Sequence, residues 1–344
     1  MAKFLVVRFS SIGDIVLTTP VLRCIKQQLP EVTLHYLTKS AYRPLLEANP
    51  RIDQLYVLSD NWQACLQQLR AEHYDAVIDL HHNLRTWRLW VDLRVPTYRF
   101  PKLNLRKWLV VQTKQKTWLP NLSVVDRYFE AVKALGVRPD GEGVEYWMPA
   151  GAGFPADQLP ENFQQGYLAW AIGGAHATKK LPVDRMLQLA ALIPYPIVLL
   201  GGKDDASAGS LLAAQYPEKI CNLAGECSLH QSADLIRQSR LLLTHDTGLM
   251  HIGAAFRKPM VTLWGNTIPE FGMFPYYGSR YQQGKHADWF DIIEHPDLPC
   301  RPCSKIGYEA CPRVHFKCMR ELDLLEIARA IQRRWKAGTE KQMV

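Results

Sequence analysis

Three observations predict an α/β protein made of two Rossmann-like domains. Short apolar, β-branched runs alternate with longer segments of helical spacing, the pattern of a parallel sheet covered on both faces. The alternation runs through two separate series, parted by a polar stretch rich in Pro and Gly from Arg138 to Gln165. The chain has 344 residues, enough for two domains of ordinary size.

The first series opens with KFLVVRF (3–9) as a strand, turns at SSIGD, and continues into IVLTTPVLRCIKQQL as a helix with Ile15, Leu22, Ile25 and Leu29 on one side. VTLHYLT (32–38) reads as a strand, AYRPLLEAN as a helix, QLYVL (54–58) as a strand, WQACLQQLRAEH as a helix and DAVIDL (75–80) as a strand. VVDRYFEAVKALGV forms a helix closed by Gly136. The second series runs through the strand YLAWAIGG (167–174), a helix from Pro182 to Leu192, the strand PIVLLGG (196–202) and a helix through Leu211 to Gln215. A helix over 228–239, the strand RLLLTHD (240–246), a helix over 247–256 and the strand PMVTLWG (259–265) complete it. In such sheets ligands bind beyond the carboxyl ends of the strands, so SSIGD, GGAHATKK, GGKDD and HDTGLMH are the informative loops.

Composition excludes several classes. With 47% hydrophobic and 22% charged residues the chain is neither disordered nor a small disulfide scaffold. The most apolar stretch, Leu187 to Leu200, is broken by Pro194 and Pro196, so an integral membrane protein is not expected. The start MAKFLVVRFSSIGD reads as a buried strand rather than a signal peptide. A cytoplasmic location and reduced thiols are therefore expected. Net charge is +8, and the segment Arg85–Trp118 holds nine basic residues against the single acid Asp92, accounting for the whole excess. Interleaved with Trp87, Trp90, Trp108 and Trp118, these charges suit nucleic acid, an anionic lipid surface or a plain solvated face.

No G-x-G-x-x-G opens a helix after the first strand, and GSRYQQGK (278–285) has the wrong spacing for a P-loop. H-E-x-x-H and G-x-S-x-G are also absent. In HDTGLMH a strand runs into Asp246, and a helix starting at Thr247 and Gly248 brings His251 onto its first turn. Free N–H groups and the positive end of the helix dipole suit an anion there, with Thr247 and His251 as extra donors; an N-cap with a core histidine fits equally well. GGAHATKK offers close backbone approach, the Thr178 hydroxyl and the Lys179 and Lys180 charges, or else a solvated turn. Both loops together favour a diphosphate. Asp14, after Gly13 at the end of the first strand, suits a general base or a helix cap. Cys300, Cys303, Cys311 and Cys318, spaced C-x2-C-x7-C-x6-C, approximate a structural zinc site or are four packed thiols.

FLVVRFSSIGDIVLTTPVL, YDAVIDLHHNLRT (74–86), IGGAHATKKLP (172–182), LLGGKDD, NLAGECSL (222–229), HDTGLMHIGAAFRKPMVTLWGNT and the cysteine-rich tail occur in this order over about half the chain. In these pieces the chain resembles glycosyltransferase family 9, the ADP-heptose:lipopolysaccharide heptosyltransferases. It departs from the family pattern in two places. Leu181 stands where a tryptophan is usual, and Gly265-Asn266-Thr267-Ile268-Pro269 replaces G-P-T-D-P.

The resemblance implies two Rossmann-like domains facing a cleft, the GT-B arrangement. An acceptor domain is expected over 1–155, a donor domain over 156–320, and a helix and tail over 321–344 packing back on the first domain. It makes Asp14 the base of an inverting, metal-independent transfer of heptose from ADP-heptose to a lipid A-linked inner-core acceptor. The donor falls to Thr178, Lys179, Asp205 at the ribose, Cys227 near the adenine, Asp246, Thr247, Gly248 and His251. The acceptor is assigned to Ser11, Gly13, Asp79, Asn83, Arg85 and Arg99. The expected partners are the ADP-sugar, a phosphorylated glycolipid and the inner leaflet through peripheral contact, with no nucleic acid. Two alternatives remain: a transferase of the same architecture using another nucleotide sugar, or a non-catalytic protein binding anionic glycolipid or nucleic acid.

Overall fold

The computed structural model describes residues 2–279 and 289–341; part of the GSRYQQGK run lies outside the described residues. These residues fall into two compact units. The first comprises residues up to Leu103 with Leu122–Ala150 and 278–279, and the second comprises Asn104–Asn121, Gly151–Tyr277 and the described residues from 289 onward.

In the first unit, β1 (Lys3–Val7), β2 (Thr33–Lys39), β3 (Gln54–Leu58), β4 (Ala76–Asp79) and β5 (Thr97–Arg99) form a parallel sheet in the order β3-β2-β1-β4-β5. Leu5, Val7, Leu37 and Val77 from its strands meet Leu66, Leu69 and Leu89 from the covering helices in one core. The helix expected after SSIGD is split into Ile12–Val16 and Thr19–Gln28. Pro20 stands in the first turn of the second piece, where its missing N–H costs nothing, and the Thr18 and Thr19 hydroxyls donate to the carbonyls of Ile15 and Val16. The expected helix at AYRPLLEAN shrinks to a 3₁₀ segment, Ser40–Leu45, with Pro44 inside it. Gly136 closes its helix as expected, at φ 79°, a left-handed conformation that favours glycine.

In the second unit, β6 (Leu168–Ala171), β7 (Ile197–Leu200), β8 (Ile220–Asn222), β9 (Leu241–His245), β10 (Met260–Trp264) and β11 (Phe290–Glu294) form a parallel sheet in the order β11-β10-β9-β6-β7-β8. The helix Leu324–Lys341 belongs to this unit. It places Leu324, Ile327, Ala330 and Ile331 in the core of the second unit, and Tyr195 stacks on Trp335.

The basic segment is not a single structural piece. It supplies the helix Leu84–Leu93 and β5 to the first unit and the helix Asn104–Thr113 to the second. No helix among the described residues is long and apolar enough to cross a membrane.

Both sheets have a topological switch point, where chain connections leave in opposite directions from neighbouring strands: β1/β4 in the first and β6/β9 in the second. Crevices at the carboxyl ends of such strand pairs are where open α/β sheets hold ligands.

Candidate active site

The carboxyl end of β1 carries Arg8, then the loop that leads to Asp14. Arg8 is buried, its guanidinium donating to the backbone oxygens of Ser10 at 2.7 Å and Leu80 at 2.6 Å, with Nη2 2.7 Å from Asp14 Oδ1. Burial works most strongly against the charge, but the Asp14 carboxylate together with Tyr128 and Tyr36 outweighs it, so the Arg8 pKa lies above its ordinary value. The other Asp14 oxygen accepts from the Ser11 hydroxyl at 2.8 Å and the Ser11 N–H at 3.3 Å. Asp14 is therefore held from both sides and is still partly open to solvent. Gly13 is buried within the short helix.

At the neighbouring end of β4 stands Asp79. It is completely buried, Oδ1 accepting from the His81 and His82 N–H groups at 2.9 and 2.7 Å and Oδ2 from Trp90 Nε1 at 3.1 Å. It holds the turn and the following helix in place. Asn83 caps that helix by accepting from the N–H groups of Arg85 and Thr86. Arg85 and Arg99 are exposed, with Arg99 stacked over Trp90 at 4.6 Å. Burial, reinforced by Arg8 and Lys102, pushes the His81 pKa down to about 3, so this histidine is neutral near pH 7.

In the second unit, the loops after β6 and β9 come together. A Cβ on Gly174 would lie 3.6 Å from Thr247 Cγ2. Lys179 Nζ sits 2.6 Å from Asp246 Oδ2, which also accepts from the Thr267 hydroxyl at 2.9 Å. Thr247 is the extended N-cap of the helix Gly248–Ala255, and its side chain caps none of the first-turn N–H groups. These groups, the helix dipole and the adjacent ammonium make an anion-binding arrangement.

Three of the residues assigned to the donor are engaged within the fold or buried. The Thr178 hydroxyl is committed to Tyr308, donating to its carbonyl at 3.0 Å and accepting from its N–H at 2.8 Å. Asp205 is bound on both oxygens, to Lys180 Nζ at 2.7 Å and the Gly202 N–H at 2.9 Å, and so braces the loops after β6 and β7. His251 is almost fully buried inside its helix. Cys227 is half-buried, its thiol pushed up to about 11 by burial and by Glu226.

The glycosyltransferase family 9 (heptosyltransferase) model matches residues 62–287 of this sequence. The chain belongs to glycosyltransferase family 9. This removes the non-catalytic alternative. The family 9 enzyme is 24% identical over 295 residues to Escherichia coli lipopolysaccharide heptosyltransferase 2, covering 78% of this chain and 84% of that one. Its fold is shared with a family 9 glycosyl transferase from Veillonella parvula at a TM-score of 0.74 and 21% identity, covering 98% of each chain. The E. coli heptosyltransferase WaaC with ADP follows at 0.66 and 18% identity, covering 96% of this chain and 99% of that one.

Where the enzyme departs from the family pattern, Leu181 is buried and donates its N–H to His245 Nε2 at 3.0 Å. Asn266 is 2% exposed, and neither its side-chain oxygen nor its nitrogen has a hydrogen-bond partner among the described residues. Of the two readings of the cysteines, packed thiols fit better than a zinc site: among the described residues no cluster of three or more His, Cys, Asp or Glu is placed to hold an ion. Cys303 donates to the Cys300 carbonyl at 3.1 Å, and burial pushes the Cys303 and Cys318 thiols up to about 11 and about 12.

The cysteine-bearing segment instead supports the donor-side loops. Tyr308 holds Thr178, the Cys303 N–H donates to the Asn266 carbonyl, and Arg301 Nη2 donates to the Thr267 carbonyl at 2.8 Å while pairing with Glu294 at 3.0 Å. The sequence alone does not single out Arg8, Thr267, Arg301 and Tyr308 as site residues. Only Arg8 leaves a signal there: it is a cation that interrupts the apolar run of a central strand.

Proposed function

We propose that the enzyme moves heptose from ADP-heptose to a phosphorylated, lipid A-linked inner-core sugar with inversion at the anomeric carbon. One observation carries this reading. The two motif loops of the sequence lie at the switch points of their respective sheets, one presenting a held carboxylate and the other a lysine beside an uncapped helix N-terminus. Asp14 takes the proton of the acceptor hydroxyl while that oxygen bonds to the anomeric carbon and the bond to the ADP oxygen breaks. Lys179 and the N–H groups opening Gly248–Ala255 meet the charge that develops on the departing diphosphate. Lys179 then exchanges part of its attraction to Asp246 for the phosphate, with no divalent ion needed to carry that charge. Arg85 and Arg99, both exposed, bind acceptor phosphates, and the enzyme works peripherally at the cytoplasmic face of a membrane.

The WaaC structure with ADP and the E. coli lipopolysaccharide heptosyltransferase 2 support the donor and acceptor classes. The changed loop at Asn266 favours, as a second reading, a different sugar on the same nucleotide. Incubating the protein with ADP-heptose, UDP-sugars and GDP-sugars and an inner-core acceptor, with chelator present, tests the proposal. Product from ADP-heptose alone, with the opposite anomeric configuration by NMR, is expected. Transfer from UDP- or GDP-sugars only, or a retained anomer, overturns it.

A further inference from the structure

We propose that the outward face of the helix Leu84–Leu93 seats the first unit on an anionic lipid bilayer. The inference rests on the membrane-side reading above and gives it a specific surface.

Leu84, Trp87 and Val91 are 85%, 54% and 51% exposed, and their spacing of three, four and seven places them on one side of the helix. The opposite side is already used: Thr86 and Leu89 are buried, and Leu89 belongs to the core of the first unit, with Trp90 and Leu93 packed against it. This helix is therefore apolar on both sides but covered on only one, which marks an interaction surface rather than a solvated face.

Charge identifies the partner. The exposed stripe is flanked by Arg85, Arg88 and Arg94. The only acid on the helix, Asp92, accepts from Trp62 Nε1 at 3.2 Å and lies 3.7 Å from Arg88 Nε. Leucine, tryptophan and valine between arginines match the headgroup region of an anionic membrane, where apolar groups enter the acyl boundary and cations meet lipid phosphates. Four other cations of the basic segment, all lysines, are engaged within the fold. Lys102 donates to the His82 carbonyl, Lys114 to the Pro302 carbonyl, Lys116 pairs with Glu270, and Lys107 lies over Phe271 at 5.7 Å.

The helix is also fixed at a useful place. Its Trp90 is bonded to Asp79 and its first turn is capped by Asn83, so it is tied to the carboxyl end of β4, the strand beside β1 and its Asp14 loop. A bilayer held at this helix keeps a lipid-linked acceptor near the edge of the sheet that bears the proposed base.

The full chain is sedimented with vesicles of phosphatidylcholine alone and of equimolar phosphatidylcholine and phosphatidylglycerol. Binding to the anionic vesicles only is expected. A Leu84→Ser/Trp87→Ser/Val91→Ser variant, altered only at exposed positions, should bind them about tenfold more weakly or worse. Arg88→Ser should weaken binding by about fivefold, the equivalent of about 1 kcal/mol for one basic residue near an anionic surface. Both variants should keep the unaltered protein's turnover on a delipidated acceptor. Equal vesicle binding by the triple variant and the unaltered protein, or no binding by either, overturns the proposal. So does a concentration-dependent dimer, seen by sedimentation velocity, that the triple variant abolishes, because the face would then belong to a second copy of the chain. Absence of soluble transfer by the unaltered protein refutes the proposed activity instead, and leaves the vesicle result to decide the docking face.

Discussion

Replacing Asp14 by asparagine should damage folding and transfer for different reasons, and Arg8 allows the two to be separated. The Arg8 and Asp14 side chains are 8% and 22% exposed and 2.7 Å apart. Breaking a fully buried ion pair costs about 3–5 kcal/mol, whereas an exposed pair is worth under about 1 kcal/mol. With one partner buried and the other partly open, a loss of roughly 2–3 kcal/mol is expected, because Arg8 keeps its bonds to the Ser10 and Leu80 carbonyls. Loss of the base should lower kcat by about 10²–10⁴-fold. ADP affinity should hold, since the donor-side groups belong to the second unit.

The double variant Arg8→Met/Asp14→Asn separates these effects. Removing the cation as well leaves no unpaired charge, so urea denaturation should show part of the lost stability restored, less the cost of the Ser10 and Leu80 carbonyls that lose their donor. Transfer, measured at saturating donor, should stay as low as in the single variant, and calorimetry should return unchanged ADP binding for both. If Asp14→Asn turns over within about tenfold of the unaltered enzyme, the carboxylate is a counter-ion and cap and not the base. Recovery of transfer together with stability in the double variant would likewise exclude Asp14 as the base.

Lys179→Ala should weaken ADP by about 1.5–3 kcal/mol, the scale of a hydrogen bond to a charged group, as read by calorimetry; unchanged affinity removes this loop from the donor site. Thr178→Val should cost about 1–3 kcal/mol of stability, because the Tyr308 N–H loses its acceptor; a large fall in ADP affinity at unaltered stability would show that the hydroxyl touches the donor after all. His245, completely buried, has its pKa pushed down by burial from 6.5 to about 4. The unfolded chain thus binds the extra proton first, so His245's contribution is whole above pH 6.5 and is lost as pH falls toward 4, by an amount on the order of 3 kcal/mol. Urea midpoints of His245→Gln should vary less across that window than those of the unaltered enzyme, and equal slopes would refute the assignment.

Legibility in the sequence follows distance along the chain and the depth of each strand in its sheet. β1, β6 and β9 are central, have neighbours on both sides, and read clearly as continuous apolar runs. The edge strands β5 and β8, carrying TYR and ICN, are too short at three residues each to stand out, and Asp291 and Glu294 break the apolar run of β11, FDIIE. LRTWRLWVDL is hard to place because its apolar arc is too wide for a helix covered on one side: Leu89 packs in the core while Leu84, Trp87 and Val91 are exposed. The site loops are readable because their groups are close in sequence, as with Ser11 and Asp14. Their supports are not, since Thr178 and Tyr308 are 130 residues apart.

One local signal does connect the two levels. Arg8, Asp79 and His245 are polar residues at the carboxyl ends of central strands, and each is buried in the structure. Nothing in the packing of a buried parallel sheet calls for a cation, a carboxylate or an imidazole there, and each is tolerable only where its polar atoms find partners. Arg8 finds Asp14, Asp79 finds the turn and Trp90, and His245 finds the Leu181 N–H. A polar residue ending an apolar strand thus marks a node that fixes the next loop, and Asp79 is the clearest case, tying the turn at His81 and His82 to Trp90 of the following helix.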